Sequence, residues 1–208
     1  MDFQPLKYIY QPSGDKAAYT LLLLHGTGGD EQDLLPLAPN FGKGLNVLSL
    51  RGNVSEGGMP RFFKRLGMGV FDEQDLSFRT HELVDFVQTL AGKEAFDPAK
   101  IIALGYSNGA NIIGSILTLY PAFLKGAILY RPMQPFRSPA AFSNTLHTPV
   151  FASNGASDPT INQADTERYR TLLQDAGYDL SAYTFNTGHN LSHEDLNQSI
   201  AWFHKYFG

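Results

Sequence analysis

Three side chains of the types used in nucleophilic catalysis each follow a short apolar run of the sequence. Ser107 lies in "GYSNGA", Asp158 in "NGASDPTI" and His189 in "NTGHNLSH". A serine hydroxyl is a weak nucleophile until a base takes its proton, and the base in turn needs an orienting carboxylate. When the serine occupies a strand–turn–helix elbow, its partners follow in the order acid, then histidine. The three residues therefore predict a Ser-His-Asp triad.

The serine belongs to the pattern G-x-S-x-G, formed by Gly105, Ser107 and Gly109. This pattern alone is weak evidence in a chain with 20 glycines, so its surroundings decide the interpretation. The run "KIIALG" before it indicates a strand, and "NIIGSILTLY" after it has helical spacing. Such an elbow strains the backbone at the serine and lifts its hydroxyl above the sheet, while the glycines allow a close strand–helix crossing.

His189 is the preferred base among the six histidines because it lies between a predicted strand and the last predicted helix. Asp158 directly follows the strand run "VFASNG". Taken alone, an aspartate before Pro159 is more typical of a turn or a helix N-cap. Three suitable residue types, each just after a strand and in the expected order, favour the catalytic interpretation. The histidines that need no catalytic role are His25, His81, His147, His193 and His204.

The tetrahedral intermediate of acyl transfer needs hydrogen-bond donors aimed at its oxyanion. One predicted donor is the backbone N–H of Asn108, directly after the nucleophile, and the other is the backbone N–H of Thr27 in "HGTGGD". The neighbouring glycines permit a tight backbone path there, and His25 is expected to support this loop through hydrogen bonds. A phosphate-binding interpretation of the glycines is weak because no G-K-[ST] follows them.

A metal site is not expected. His189 and His193 are four residues apart, as in helical zinc sites, but Ser192 and Asp195 form a capping-box pattern that starts the last helix. His189 then lies outside that helix, and His193 is expected in its first turn near the mouth of the site. The chain has no cysteine, which excludes disulfides and thiolate ligands. We expect neither a metal nor a cofactor.

Seven apolar runs bounded by glycine or proline indicate strands, and five longer stretches have helical spacing. The predicted strands cover 7–11, 20–26, 46–52, 100–105, 126–132, 148–155 and 180–188, and the predicted helices cover 31–41, 76–94, 107–120, 161–177 and 192–206. Strands that are apolar on both faces and alternate with helices predict an α/β fold, with a mostly parallel sheet of about seven strands and helices on both faces. No repeat or linker is visible, so residues 1–208 are expected to form one domain.

The segment 51–75 interrupts this alternation, with five glycines and no sustained period. A connection of this length is more often a binding loop than filler, the alternative being a surface excursion that covers core or makes an oligomer contact. Apolar side chains in and after this segment are expected to line a substrate pocket, namely Met59, Phe62, Phe63, Phe71 and Met133. Arg61 or Arg131 is a candidate for holding an anionic group, the alternative being that both are solvated.

The bulk composition is that of an ordinary globular protein, with 43% hydrophobic and 17% charged residues. A net charge of -4 provides no basic field, so nucleic acid is not an expected partner. The longest aliphatic run, at 21–24, is too short to span a bilayer. The first residues show no secretory signal pattern, and the absence of cysteine is compatible with the expected cytoplasmic location.

Four motifs, "LLLLHGTGGDE", "GYSNGA", "GASDP" and "TGHNLS", make the chain similar to the carboxylesterase/phospholipase family of small α/β-hydrolases. It most resembles the bacterial branch of esterases or hydrolases linked to quinone resistance, along nearly its whole length. The resemblance implies a single-domain minimal α/β-hydrolase fold, Ser107 as nucleophile with Asp158 and His189, and oxyanion N–H groups at Thr27 and Asn108. Thioesterase relatives usually carry leucine in place of Thr27, which weakens the case for a long lipid acyl chain.

The activity that these features predict is hydrolysis of small carboxylic esters, with short acyl or aryl groups, through an acyl-enzyme. The resemblance leaves two alternatives open. One is a (lyso)phospholipase or acyl-thioesterase, and the other is a dienelactone or ring-cleaving hydrolase acting on quinone-derived compounds. The complete set of triad positions argues against a non-catalytic binding module. The expected partner is a small-molecule ester, and the resemblance adds a homodimer as an expectation.

Overall fold

The structure is a computed structural model that describes residues 2–208 of the chain. Its strands are β1 (Lys7–Gln11), β2 (Thr20–Leu24), β3 (Asn46–Arg51), β4 (Val54–Glu56), β5 (Met59–Arg61), β6 (Arg65–Gly67), β7 (Val70–Phe71), β8 (Ile101–Tyr106), β9 (Gly126–Tyr130), β10 (Pro149–Gly155) and β11 (Asp179–Phe185). Its α-helices are α1 (Glu73–Glu94), α2 (Asn108–Leu119), α3 (Gln163–Asp175) and α4 (His193–Phe207).

Seven of these strands form the central sheet, in the order β1-β3-β2-β8-β9-β10-β11. β1 runs antiparallel to β3, and the other six strands are parallel to one another. The predicted α/β fold class and the seven-stranded, mostly parallel sheet are confirmed. Because parallel strands end at the same edge, the loops after β2, β8, β10 and β11 meet at one side of the sheet.

Two hydrophobic cores lie on opposite faces of this sheet, because successive strand residues point to opposite sides. In β2, Leu22 and Leu24 pack in the core that α1, α2 and α3 cover, whereas Leu21 and Leu23 pack in the core that α4 covers. All four leucines are fully buried, and each buried leucine contributes about 1.5–3 kcal/mol. The predicted placement of helices on both faces is confirmed.

One predicted α-helix is wrong. The stretch 31–41 contains a 3₁₀ helix at Leu35–Phe41 instead. Pro36 and Pro39 lack the backbone N–H that an α-helix needs in its interior, so only a shorter and tighter turn forms there. The other four predicted helices are present as α1 to α4. Within residues 2–208, no helix combines the length and the apolar character needed to cross a membrane.

The segment 51–75 folds into two antiparallel hairpins, β4–β5 and β6–β7, which the sequence pattern did not predict. Their strands are two or three residues long, too short for alternating polarity to be recognised. Glycine is required at the turns, where Gly57, Gly58 and Gly69 have φ of 58°, 86° and 69°. Side chains from both hairpins reach the cavity beside Ser107.

Candidate active site

Ser107 is the single residue between the end of β8 and the start of α2. Its φ of 51° and ψ of -110° confirm the predicted backbone strain, which costs of order 1–3 kcal/mol. The following helix crosses β2 so closely that a Cβ at Gly109 would overlap the Leu24 carbonyl and lie 2.7 Å from the His25 carbonyl oxygen. The elbow therefore requires glycine at position 109.

The structure brings Ser107, His189 and Asp158 together at the carboxyl edge of the parallel strands. Ser107 Oγ lies 3.0 Å from His189 Nε2, and His189 Nδ1 lies 2.6 Å from Asp158 Oδ2. With Nδ1–H donating to the carboxylate, Nε2 is left as the acceptor for the serine hydroxyl. Both distances are within the range that proton transfer needs.

The Asp158 carboxylate is held in its ionised form by a neighbour that sequence reasoning missed. Its Oδ1 accepts hydrogen bonds from the Thr160 backbone N–H at 2.9 Å and from the Thr160 hydroxyl at 2.7 Å. Burial alone would raise the pKa of Asp158, but the hydrogen bonds from Thr160 and His189 outweigh it and lower the pKa below its usual value. An aspartate two residues before a threonine after a strand is the local signal of such a turn.

The two predicted oxyanion donors border the same cavity as Ser107. Among residues 2–208, neither the Thr27 nor the Asn108 backbone N–H donates to another protein group. Asn108 is also the first residue of α2, where the helix dipole favours developing negative charge. The Thr27 hydroxyl accepts a hydrogen bond from Arg61 Nη1 at 2.6 Å.

His25 supports the Thr27 loop through hydrogen bonds, as predicted. Its Nδ1–H donates to the Gly26 carbonyl at 2.6 Å, and its Nε2 accepts from the Gly52 N–H at 3.1 Å. Burial lowers the pKa of His25, which keeps the imidazole neutral and Nε2 free to accept. The histidine thereby ties the loop after β2 to the segment 51–75.

Two asparagines at the start of α2 fix the loops that wall the cavity, and sequence reasoning missed this role. Asn108 Oδ1 accepts a hydrogen bond from the Phe62 N–H at 2.7 Å. Asn111 Oδ1 accepts one from the Met133 N–H, also at 2.7 Å. Two buried amides at the start of an otherwise apolar helix are a signal that they serve loops rather than solvent.

The cavity over Ser107 and His189 has a volume of about 240 Å³. Phe71 and Met133, two of the predicted substrate contacts, lie in its wall. Apolar wall residues that sequence reasoning did not assign to the pocket are Met68 and Tyr106.

The predicted substrate contact is wrong for Phe62 and Phe63, which are 2% and 0% exposed and belong to the core. Phe62 packs on His25 with ring centroids 4.7 Å apart, and Phe63 packs edge-on against Phe71 at 5.0 Å. Met59 is not among the residues that line the cavity; its side chain is 44% exposed and lies beside Gly28. Phe62 and Phe63 lie between β5 and β6 and face the core, a direction that composition alone does not reveal.

The cavity wall is positively charged, because Arg61, Arg65 and Arg131 border it and none of its described lining residues is acidic. Arg131 pairs with Asp195 at 2.7 Å and both side chains are buried, so it is neither solvated nor free for a substrate anion. Arg61 and Arg65 share the single carboxylate of Glu56, at 3.4 and 2.9 Å. One positive charge is thus left without a protein partner.

His193 begins α4, as expected, but it borders a different cavity together with Leu37 and Leu191. It does not line the cavity over Ser107, and its predicted place near the mouth of that cavity stays a prediction. In the part of the chain that the structure describes, no three histidine, aspartate or glutamate side chains converge as metal ligands would.

Similarity to known proteins extends over nearly the whole chain. Residues 66–199 match the sequence model described as the dienelactone hydrolase family. The putative hydrolase MhqD of Bacillus subtilis (strain 168) is 43% identical over 198 residues, which are 95% of this chain and 98% of that protein. The crystal structure of the Bacillus cereus carboxylesterase is 44% identical, with a TM-score of 0.94 and coverage of 97% of this chain and 95% of that one. The structure of YahD with malic acid is 31% identical, with a TM-score of 0.90 and coverage of 97% and 99%.

Proposed function

The chain belongs to the dienelactone hydrolase family and is a hydrolase, and we propose that it hydrolyses small carboxylic esters with Ser107 as the nucleophile. The observation that carries the proposal is the continuous hydrogen-bond chain from Ser107 Oγ through His189 to Asp158, with distances of 3.0 and 2.6 Å. Similarity to a carboxylesterase and to a putative hydrolase supports the choice of ester hydrolysis.

The first half-reaction forms an acyl-enzyme. His189 Nε2 takes the proton of Ser107 as Oγ attacks the ester carbonyl carbon, and the N–H groups of Thr27 and Asn108 donate to the oxyanion. When the tetrahedral intermediate collapses, His189 passes the proton to the leaving alcohol. Asp158 keeps the imidazole in the tautomer whose Nε2 accepts, and stabilises its protonated form.

The second half-reaction releases the acid. A water molecule gives a proton to His189 as its oxygen attacks the acyl carbon, and the same two N–H groups bind the oxyanion. The bond between Ser107 Oγ and the acyl carbon then breaks, and Oγ recovers the proton from His189. The side chain of His189 is 30% exposed, so solvent water reaches it.

Covalent labelling tests this assignment directly. A fluorophosphonate probe is expected to attach to Ser107, as shown by mass spectrometry of the labelled peptide, and to abolish hydrolysis of p-nitrophenyl acetate. If the probe abolished ester hydrolysis but left Ser107 unmodified, or if an active protein could not be labelled at Ser107, the proposed nucleophile would be excluded.

The size of the cavity favours short substrates. Its volume of about 240 Å³ lies below the range of about 300–1,000 Å³ usual for ligand pockets. A second cavity of about 340 Å³ lies beside it, and Gly69 and Met133 border both. The Met133 Cε atom lies 3.4 Å from the position of a Cβ at Gly69. The Met133 side chain thus separates the two cavities and limits the length of the ester that the first one accepts.

Met133→Ala is expected to shift activity toward longer esters, because truncation joins the two cavities. The ratio of kcat/KM for p-nitrophenyl hexanoate to that for the acetate should rise about tenfold, since two further buried methylenes contribute about 0.8 kcal/mol each. Leu146→Ala is the control, because Leu146 is 64% exposed and borders neither cavity. A Met133→Ala length profile parallel to that of the wild type would remove Met133 from this role.

The charge of the cavity favours an ester that carries a carboxylate. Arg61 is 3% exposed, and burial and the nearby Arg65 lower its pKa although Glu56 opposes this. Its Nε and Nη1 donate to the Phe63 carbonyl and to Thr27, while its Nη2 has no acceptor among residues 2–208. A buried guanidinium with a free donor attracts an anion more strongly than one in water. YahD, one of the similar structures, is described with malic acid, which carries two carboxyl groups.

The wild type is therefore expected to prefer mono-p-nitrophenyl succinate over p-nitrophenyl pentanoate by about 10- to 100-fold in kcat/KM. A hydrogen bond to a charged group contributes about 1.5–3 kcal/mol, and about 1.4 kcal/mol is a factor of ten. Arg61→Met should abolish this preference and Arg61→Lys should keep part of it. The ratio of kcat/KM for the succinate to that for the pentanoate is the measurement. A general effect of Arg61 on the Thr27 loop changes both values equally and cancels in this ratio. A wild-type ratio in Arg61→Met would exclude Arg61 as the anion-binding residue.

A further inference from the structure

Arg131 contacts the segment that carries His189. Its backbone has a conformation that non-glycine residues rarely adopt. It directly follows β9 and has φ of 58°, and its backbone N–H donates to the Ser153 carbonyl at 2.7 Å. A left-handed conformation of this kind persists only where the surrounding structure enforces it, and such strain clusters at functional sites. The contacts of the Arg131 side chain indicate the role of this conformation.

The guanidinium of Arg131 forms a buried, bidentate ion pair with Asp195 of α4. Nη1 and Nη2 each lie 2.7 Å from one carboxylate oxygen, and the two side chains are 0% and 1% exposed. Asp195 also accepts from the Ser153 hydroxyl at 2.6 Å and from Ser192 N and Oγ at 2.8 Å, which includes the predicted capping box. Burial alone would raise the pKa of Asp195, but these hydrogen bonds lower it, so the carboxylate stays ionised.

The remaining donors of Arg131 hold the backbone on both sides of His189. Nε donates to the Gly188 carbonyl at 3.2 Å, and Nη2 donates to the Asn190 carbonyl at 2.6 Å. Between them, the carbonyl of His189 itself accepts from the Tyr106 hydroxyl at 3.1 Å. Three consecutive carbonyls are thus fixed by side chains that come from the end of β8 and the end of β9.

We propose that Arg131, held in place by Asp195, is a positioning residue that fixes the segment 188–190 and so keeps the imidazole aligned between Ser107 and Asp158. This inference rests on the function proposed above. The segment has no regular secondary structure, so its backbone is held mainly by these side-chain donors. Proton transfer needs heavy atoms within about 2.6–3.2 Å, and a displacement of about 1 Å can lower the rate about 100-fold.

Arg131→Lys tests the proposal with the least disturbance. Lysine keeps a positive charge beside Asp195 and must adopt the same left-handed backbone conformation. It has no planar guanidinium, so it cannot reach the carboxylate and both carbonyls at once. We expect kcat for p-nitrophenyl acetate to fall about 100-fold with KM little changed. The Nδ1 proton of His189, followed by NMR, should exchange with solvent faster than in the wild type. If Arg131 only stabilised the fold, Arg131→Lys would neither lower kcat at constant KM nor change this exchange rate.

Arg79→Lys is the matched control, because Arg79 pairs with the buried Glu82 at 2.8 Å on α1 and does not border the catalytic cavity. It should keep wild-type kcat. Wild-type kcat in Arg131→Lys, or an equal loss in both variants, would overturn the proposal. If Arg131→Lys does not fold, the double variant Arg131→Met/Asp195→Leu replaces the ion pair by apolar side chains, and wild-type kcat in that variant overturns the proposal equally.

The same assay separates this proposal from the function on which it depends. Absence of turnover in the wild type, or wild-type turnover in Ser107→Ala, would remove the proposed function. Turnover that depends on Ser107 but not on Arg131 would remove only the positioning role.

Discussion

Ser107→Ala is expected to lower kcat for p-nitrophenyl acetate by about 10⁵- to 10⁶-fold while the protein stays folded. The serine hydroxyl is the group that His189 Nε2 faces at 3.0 Å, and without it no acyl-enzyme forms. Loss of the nucleophile in a serine hydrolase costs about 10⁶-fold in kcat, and the residual rate comes from the oxyanion donors and substrate binding. Release of p-nitrophenolate at saturating substrate gives kcat, and thermal unfolding shows that the fold is intact.

Ser115→Ala is the matched control, because it removes another buried hydroxyl from the same helix. Ser115 Oγ lies 2.7 Å from Thr80 Oγ1 and does not border the catalytic cavity. The variant should lose about 1 kcal/mol of stability and keep wild-type kcat, and a fluorophosphonate should label it but not Ser107→Ala. Turnover by Ser107→Ala within tenfold of the wild type would mean that the ester is cleaved without this serine.

The position of the triad could be predicted from the sequence because of the way parallel strands end. Ser107, Asp158 and His189 each follow an apolar run, and strands β8, β10 and β11 place their carboxyl ends at one edge of the sheet. Local patterns were therefore enough to predict that residues up to 82 positions apart lie close together. The catalytic roles of these residues stay predictions that the variants test.

The residues that hold the triad in place could not be predicted in the same way. Arg131 and Asp195 are 64 positions apart, and nothing in the spacing around either one indicates their ion pair. Asn111 supports Met133 across 22 positions by a backbone contact that depends on how the loop after β9 folds back. Such contacts follow from the packing of loops on the finished sheet, which local sequence patterns do not encode.

The direction of side chains in the segment 51–75 also lay beyond the sequence. Its apolar content predicted a pocket wall, and Phe71 is in that wall. Phe62 and Phe63 face the core instead. These two adjacent residues lie between β5 and β6, where no strand alternation sets the direction of side chains, so composition could predict that the segment covers the site but not which residues face it.

Asp158→Asn is expected to lower kcat by about 10⁴-fold, with little change in KM, because it reverses the tautomer of His189. Oδ1 of Asp158 accepts two hydrogen bonds from Thr160, at 2.9 and 2.7 Å, which an amide nitrogen cannot accept. The amide oxygen therefore takes the Oδ1 position, and the NH₂ group faces His189 Nδ1 where Oδ2 now lies 2.6 Å away. Nδ1 must then accept and Nε2 carries the proton, so the imidazole cannot take the proton of Ser107.

Nitrogen NMR of His189 measures this tautomer directly and separates two roles of the carboxylate. In the wild type Nδ1 is expected to carry the proton, and in Asp158→Asn it moves to Nε2. Thr160→Val is the matched variant, since it removes one donor to Oδ1 but keeps the carboxylate, and it should lower kcat by about tenfold or less. A 10⁴-fold loss with an unchanged tautomer would assign Asp158 to stabilising the protonated imidazole. A kcat within tenfold of the wild type would mean that His189 is oriented by other groups, of which the Thr160 hydroxyl, 3.1 Å from Nδ1, lies within reach.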